Sequence, residues 1–413
     1  MRDTLKRGEP RSTDSEAAAN ADKATADKAN ADKANADKAN ADKANADKAN
    51  ADKANADKAN ADKAPAIGNN AAVSGDNAAA IADSGPAASA DGAAFRKELL
   101  RSMLLQRRFE ERCAEAYALG KIGGFCHLYI GQEAISAGTM SVLRPDDYVV
   151  TAYRDHGQAI ARGMSPRTVM AELFGRRDGS SGGKGGSMHL FDKGLNFLGG
   201  HGIVGAHIPL AAGVSWAIKY RKGDQICVCF FGEAAVNIGS FHEALNMASL
   251  WKLPAIFIIE NNRYGMGTEI SRATANEDVT IRAAAYNMAG ESVDAQDVFA
   301  VRDVVGRAVE LARREQKPTL LEMRTYRFMG HSMSDAASGT YRSREELEEN
   351  MKRDPIVVLH DRMRGDDQLS DGEFSRLDDE QKAICQDAWD FADASPEPAQ
   401  EELYTHVLVD TTS

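Results

Sequence analysis

Two short apolar runs in this chain end abruptly in polar residues. Ile226-Cys-Val-Cys-Phe-Phe231 passes into Gly-Glu-Ala-Ala-Val-Asn237, and Ile256-Phe-Ile-Ile259 passes into Glu-Asn-Asn-Arg-Tyr-Gly-Met-Gly-Thr268. Unbroken β-branched and aromatic runs of this length predict strands buried on both faces. Between them Phe241, Ala244, Leu245, Ala248 and Leu250 recur at helical spacing, and Pro254 closes that helix. The unit reads strand–loop–helix–strand, with acid and amide side chains at the carboxyl ends of two parallel strands. Ligands of open α/β sheets bind at that edge.

The same pattern organises the flanking chain. Leu99, Leu100, Met103, Leu104 and Phe109 share one helical stripe within Phe95 to Leu119, and the glycines from Gly120 to Gly124 end that helix. Phe125 to Tyr129 reads as a loop or short strand, and Glu133 to Leu143 as another helix. Val149 to Tyr153 is a predicted strand that delivers Tyr-Arg-Asp-His at its end. Pro166 opens a helix through Phe174, and His207 to Lys222 is a further one. Phe299 to Arg314 is amphipathic, with Val301, Val304, Val305, Ala308, Val309 and Leu311 inward, and Pro318 to Tyr326 is a strand ending near His331. The remaining C-terminal residues read as charged helices.

One segment tempts a different reading. Gly179-Ser-Ser-Gly-Gly-Lys-Gly-Gly-Ser187 is glycine-rich, but Asp178 stands where a phosphate loop needs its first Gly and Gly185 where it needs Ser or Thr. A mobile loop near the site entrance is the expectation there.

Residues 1–92 cannot build a core. From Ala21 to Pro65 the pentad Ala-Asp-Lys-Ala-Asn repeats with minor variation. That period matches neither helix nor strand, and alanine is its largest apolar group, so burial cannot offset the entropy of ordering it. A low-complexity, disordered arm is expected, followed by one α/β domain over 93–413. The net charge of −12 excludes general nucleic-acid or membrane-surface binding. Five cysteines, an odd number, build no disulfide framework, and Cys227 and Cys229 share a strand face as core residues. No apolar leader opens the chain and no stretch is long enough for a membrane span, so a cytoplasmic location is expected.

Glu233 and Asn262 supply hard oxygen ligands, which suit magnesium holding a phosphate group far better than zinc. The arrangement resembles the thiamine-diphosphate-binding fold, whose signature is Gly-Asp-Gly, a helix, then Asn-Asn past the next strand. More narrowly, Gly124 to Ala134, Thr151 to Gly157, Gly183 to His189, Gly202-Ile-Val-Gly205 and Gly330-His-Ser-Met-Ser-Asp335 resemble the α subunits of the pyruvate dehydrogenase first component. The likeness runs from about Phe95 to Tyr404.

That resemblance implies a mostly parallel sheet flanked by helices, and thiamine diphosphate with Mg2+ as cofactors. It implies Glu233, Asn262 and the Tyr264 carbonyl as metal ligands. Ala234 and Ala235 would approach the diphosphate through their backbones, Tyr153 and Arg154 would bind its oxygens, and Gly202 and Val204 would meet the aminopyrimidine. His331 would bond the diphosphate and move protons. His127 would hydrogen-bond a small 2-oxo acid. His156 and His189 are candidates for a supporting layer.

The family pattern also implies oxidative decarboxylation of pyruvate, with the acetyl group passed to lipoyl-lysine of a dihydrolipoyl acyltransferase core. It implies a β subunit, in an assembly of two α and two β chains, that brings the glutamate activating the aminopyrimidine. The chain departs from the pattern at Glu233, where the family has Asp, at Ala234, where it has Gly, and at Ala336, where it has Pro. A branched-chain 2-oxo acid or acetoin dehydrogenase α subunit, or a catalytically impaired structural subunit, are the competing readings. Ser332 and Ser334 match a segment phosphorylated in some family members and are read as inherited loop sequence.

Overall fold

The computed structural model describes residues 92–405. The repeat arm lies outside the described residues.

Helix α1 (Ala93–Ala118) opens the described chain and is followed by α2 (Glu133–Met140) and strand β1 (Tyr148–Ala152). Helices α3 (His156–Arg162) and α4 (Pro166–Leu173) lead to β2 (Phe197–His201) and α5 (His207–Tyr220). The apolar runs form β3 (Cys227–Gly232) and β4 (Ala255–Asn261), joined by a 3-10 turn at Glu233–Asn237 and helix α6 (Gly239–Leu250). A small hairpin, β5 (Tyr264–Gly265) with β6 (Thr268–Glu269), precedes the short α7 (Ile270–Ala273). Strand β7 (Ala289–Asp294), helix α8 (Val298–Glu315) and strand β8 (Thr319–Arg324) complete the sheet. Helices α9 (Arg344–Met351), α10 (Pro355–Gly365) and α11 (Asp371–Ala394) follow.

The main sheet has six strands in the order β2-β1-β3-β4-β8-β7. Every neighbouring pair in it is parallel. Alternate residues of the central strands explain why both faces are covered. Val228, Phe230, Ile256 and Ile258 join one apolar cluster, with α4, α8 and α11. Cys227, Cys229, Phe231, Phe257 and Ile259 join the other, with α5 and α6. Truncating one of these buried phenylalanines to Ala costs about 3–5 kcal/mol. All five cysteines are free and buried, as core packing requires.

Strand order places the functional edge. The chain leaves β1 toward β2 on one side and returns to β3 on the other, so a crevice opens between the carboxyl ends of β1 and β3. Tyr153 and Arg154 follow β1, and Glu233 follows β3.

Three expectations are corrected. Strands β2 and β7 carry glycine or polar residues and were not anticipated, because edge strands with one neighbour need no unbroken apolar run. The helix expected to reach Lys222 ends at Tyr220, since Lys222 takes a left-handed backbone with φ of 58°. The glycine-rich loop is anchored rather than mobile. One oxygen of the buried Glu172 carboxylate accepts the N–H groups of Ser181 and Gly183 at 2.7 and 2.9 Å. Its other oxygen accepts those of Gly185 and Gly186 at 2.7 and 3.1 Å. Glycines make this ring possible, because Gly182, Gly183 and Gly186 all adopt positive φ.

Candidate active site

The carboxyl ends of β1, β3, β4 and β8 converge on one cleft. Its inner part, of about 60 Å³, is lined by Tyr153, Arg154, Glu233, Asn262, Arg327 and His331, among others. Its outer part, of about 500 Å³, adds Phe125, His127, Met188 and Gly202. Tyr153, Val204, Ala234, Gly265, Met266 and His331 line both. Every residue expected to hold cofactor, metal or substrate therefore borders this cleft: Ala235 and Tyr264 the inner part, Gly202 and His127 the outer.

Glu233 is 2% exposed, and its Oε1 has no hydrogen-bond partner. Its Oε2 accepts only a long contact from the Asn262 N–H, at 3.4 Å. Burial pushes this carboxyl up from its ordinary range, and Arg327 and Arg154 pull it back. Asn262 donates from Nδ2 to Gln132 Oε1 at 3.1 Å, which leaves Asn262 Oδ1 to face the cleft. A single nitrogen, Arg327 Nη1, donates to both Asn262 Oδ1 and the Tyr264 carbonyl at 3.3 Å each. An orphaned carboxylate oxygen beside two oxygens already gathered on a cation is a donor set of the kind a hard divalent ion takes.

Ala234 fits its position without backbone strain. It stands in the 3-10 turn, and its φ is not positive. The left-handed backbone that would penalise Ala does not arise, so the substitution's effect is its methyl group. That methyl abuts Gly265, where an added Cβ would sit 2.5 Å from the Ala234 Cβ.

Arg154 lines the cleft with its two Nη groups already engaged, one donating to the Leu128 carbonyl at 2.6 Å and the other to that of His331 at 2.8 Å. Burial and the nearby Arg327 lower it to about 10. His127, Tyr153 and His331 form an aromatic cluster, with ring centroids 4.6 Å apart for His127 and Tyr153 and 5.1 Å for His127 and His331. Burial first, then Arg154, lowers His127 to about 2 and His331 to about 4. Both imidazoles are thus neutral near pH 7, and the Nδ1 of each is buried without a partner.

The other two histidines divide. His156 stands away from the cleft, its ring between a Glu110 carboxylate oxygen at 2.9 Å and the Ser187 carbonyl at 3.0 Å. His189 supports the cleft wall: its Nδ1 meets the Gly200 carbonyl at 3.0 Å, and its Cε1 would lie 3.3 Å from a Cβ on Gly202.

Sequence reasoning missed three participants. Gln132 orients the Asn262 amide, Arg327 bridges the cleft oxygens, and Glu260 takes the Tyr129 hydroxyl and, at 2.7 Å, the Gln158 amide. Burial pushes Glu260 up to about 7. Gln132 and Glu260 adjoin residues already singled out, and Arg327 is a lone charge just past a strand end, four residues before His331.

A family model described as "Dehydrogenase E1 component" matches residues 101–401. The pyruvate dehydrogenase E1 component subunit alpha of Rhizobium meliloti is 49% identical over 310 residues, covering 75% of this chain and 88% of that relative. The same-named protein of Zymomonas mobilis is 48% identical over 321 residues, covering 76% and 90%. That of Rickettsia bellii is 45% identical over 309 residues, covering 75% and 94%. The cleft at the sheet edge and the match through nearly the whole described body agree: this chain belongs to the dehydrogenase E1 component family.

Proposed function

We propose that the chain is the α subunit of a pyruvate dehydrogenase E1 component, acting with thiamine diphosphate, Mg2+ and a β subunit. The observation that carries this reading is the joined cleft. A narrow inner part carries oxygen ligands and guanidiniums, and a wider outer part is bordered by two neutral histidines. The names of the similar proteins specify pyruvate, which supports that substrate over branched-chain 2-oxo acids and acetoin.

Thiamine diphosphate, when bound, supplies the electron sink for 2-oxo acid decarboxylation. Glu233, Asn262 and the Tyr264 carbonyl would hold the metal. Tyr153 and Arg154 would border the diphosphate, the backbones of Ala234 and Ala235 would approach it, and those of Gly202 and Val204 would meet the aminopyrimidine. His331, neutral before loading, can donate to a phosphate oxygen, and its basicity rises once that anion lies beside it. His127 can present its free nitrogen to the substrate's carboxylate or carbonyl.

The second half of the site would come from the β subunit, two copies joining two α chains, and the acetyl group would pass to the lipoyl-lysine of a dihydrolipoyl acyltransferase core. Trp216 and Tyr220 on α5 stack 5.2 Å apart and are exposed, and Leu250 and Trp251 at the end of the adjoining α6 are exposed too. An apolar patch of this kind supports burial by a partner chain. Among the described residues no helix is long and apolar enough to cross a membrane. A cytoplasmic location belongs to the same proposal.

The test is reconstitution with the β subunit. Pyruvate-dependent reduction of an artificial electron acceptor should require β subunit, Mg2+ and cofactor together, with pyruvate turned over faster than 2-oxoisovalerate or acetoin. No turnover at saturating cofactor would favour the impaired structural subunit instead.

A further inference from the structure

The hairpin that carries Tyr264 cannot hold itself. Its strands pair Tyr264 with Glu269 and Gly265 with Thr268 and no further, and a ribbon that short has no independent stability. Arg263 and Met266, which flank its first strand, adopt left-handed backbones with φ of 76° and 57°. Residues other than glycine keep that conformation only where the surrounding structure over-determines it. The anchors therefore come from outside the hairpin. Arg327 supplies one from the cleft side, through the Tyr264 and Met266 carbonyls at 3.3 Å each. The other meets Tyr264 at the far end of its side chain.

That second anchor is Glu346, in the first turn of α9. The Tyr264 hydroxyl donates to its two carboxylate oxygens, at 2.8 and 3.0 Å. The Tyr326 hydroxyl donates to Oε1 at 2.9 Å, and Arg263 Nη1 lies 3.9 Å from the same oxygen. Glu346 is itself fixed: the Ser343 side chain accepts its N–H at 3.1 Å, and a helix N-terminus favours negative charge. Tyr264 is 5% exposed, with its ring 5.4 Å from that of Tyr341 and 6.4 Å from that of Tyr326. With ring and hydroxyl both held, turning the Tyr264 carbonyl out of the cleft would break these contacts.

We propose that Glu346 is a positioning residue for the metal site: through the Tyr264 hydroxyl it holds the hairpin, and with it the Tyr264 carbonyl, where a metal ion would take it up. It stands outside the cleft lining and acts on the site only through Tyr264. The inference rests on the reading that the Tyr264 carbonyl is a metal ligand. Of the two tyrosines on this carboxylate, only Tyr264 belongs to the hairpin. Tyr326 follows β8, which pairs with β4 along its whole length and needs no such anchor. The two hydroxyls therefore separate positioning from general packing.

The experiment titrates Mn2+ into the full chain assembled with its β subunit and saturated with thiamine diphosphate, following the free ion by electron paramagnetic resonance. Glu346→Ala should weaken Mn2+ binding about tenfold, the scale of one hydrogen bond to a charged group. Hydrogen exchange over residues 264–270 should quicken in the same variant before metal is added. Glu346→Gln keeps an acceptor oxygen and should recover most of the loss. Tyr264→Phe, which removes one hydroxyl and leaves the ring, should weaken Mn2+ binding as Glu346→Ala does, and the double variant should be little weaker than either. Tyr326→Phe should leave Mn2+ binding near wild type. Wild-type Mn2+ affinity in Tyr264→Phe overturns the inference, and this arm stands even where Glu346→Ala fails to fold. Equal losses from Tyr264→Phe and Tyr326→Phe also overturn it, since they would mark the carboxylate as packing alone. A wild type that binds no Mn2+ in the cofactor-loaded assembly would instead remove the functional reading, and the inference with it.

Discussion

Gly265→Ala perturbs the cleft at one atom. The position has no positive φ, so an alanine backbone is allowed there and conformational strain plays no part. The new methyl would sit 2.5 Å from the Ala234 Cβ and 3.9 Å from Glu233 Oε1. Ordinary carbon–carbon contact is about 3.5–4.0 Å, so one of two loops must shift by roughly 1 Å or more. Overpacking of this kind costs about 1–3 kcal/mol. Displacing the 3-10 turn also moves Glu233, which should weaken cofactor and metal binding together.

The assay is a double-mutant cycle with Ala234→Gly, read by urea denaturation and by cofactor titration. Ala234→Gly alone should change stability by no more than about 1 kcal/mol, since Ala234 is unstrained and outside the buried core. In its presence Gly265→Ala should lose most of its cost, giving a coupling of about 1–2 kcal/mol. Equal destabilisation by Gly265→Ala in both backgrounds would refute the contact, and with it the placement of the turn that carries Glu233.

Three further outcomes follow from buried groups. Glu172→Gln replaces an acceptor of four backbone N–H groups with an amide that can accept on one side only, so the 181–186 loop should exchange amide hydrogens faster and stability should fall by about 1–3 kcal/mol. Arg107→Met removes a guanidinium bonded to Glu133 and, at 2.7 and 3.2 Å, to Asp354; the fully buried Glu133 loses its cation, and thermal denaturation should report a loss of about 3–5 kcal/mol. His207 is lowered to about 4, chiefly by burial, while its Nε2 donates to the Phe230 carbonyl at 2.8 Å. Below its unfolded pKa of about 6.5 the unfolded state takes the proton and the folded state does not, so stability falls as pH drops from about 6.5 toward 4. His207→Gln should reduce that slope by about one proton in stability-versus-pH measurements, and an unchanged slope would contradict the assignment.

The sequence carried much of this, for identifiable reasons. Strands β1, β3, β4 and β8 were legible because they are interior and apolar, and the polar residues that end them mark the functional edge. Strands β2 and β7 were not, because an edge strand built from Phe-Leu-Gly-Gly-His or Ala-Gly-Glu-Ser-Val-Asp has no clear period. Strand order was equally hidden, since no local pattern says that β1 lies between β2 and β3. Matched motifs located the candidate ligands, but Arg327 reads in sequence as an ordinary charge after a strand. Its bridging of Asn262 and Tyr264 depends on β8 pairing with β4, and only the assembled sheet brings them together. The glycine-rich run misled for a related reason: its anchor, Glu172, lies in the preceding helix, and nothing in the run itself announces a buried carboxylate.

The most direct measurement is the anomalous difference density of Mn2+ in crystals of the assembled complex grown with thiamine diphosphate. A peak within about 2.0–2.4 Å of Glu233 Oε1, Asn262 Oδ1 and the Tyr264 carbonyl, with diphosphate oxygens completing the shell, is the predicted result. A peak elsewhere, or cofactor bound with Glu233 turned out of the cleft, would contradict it.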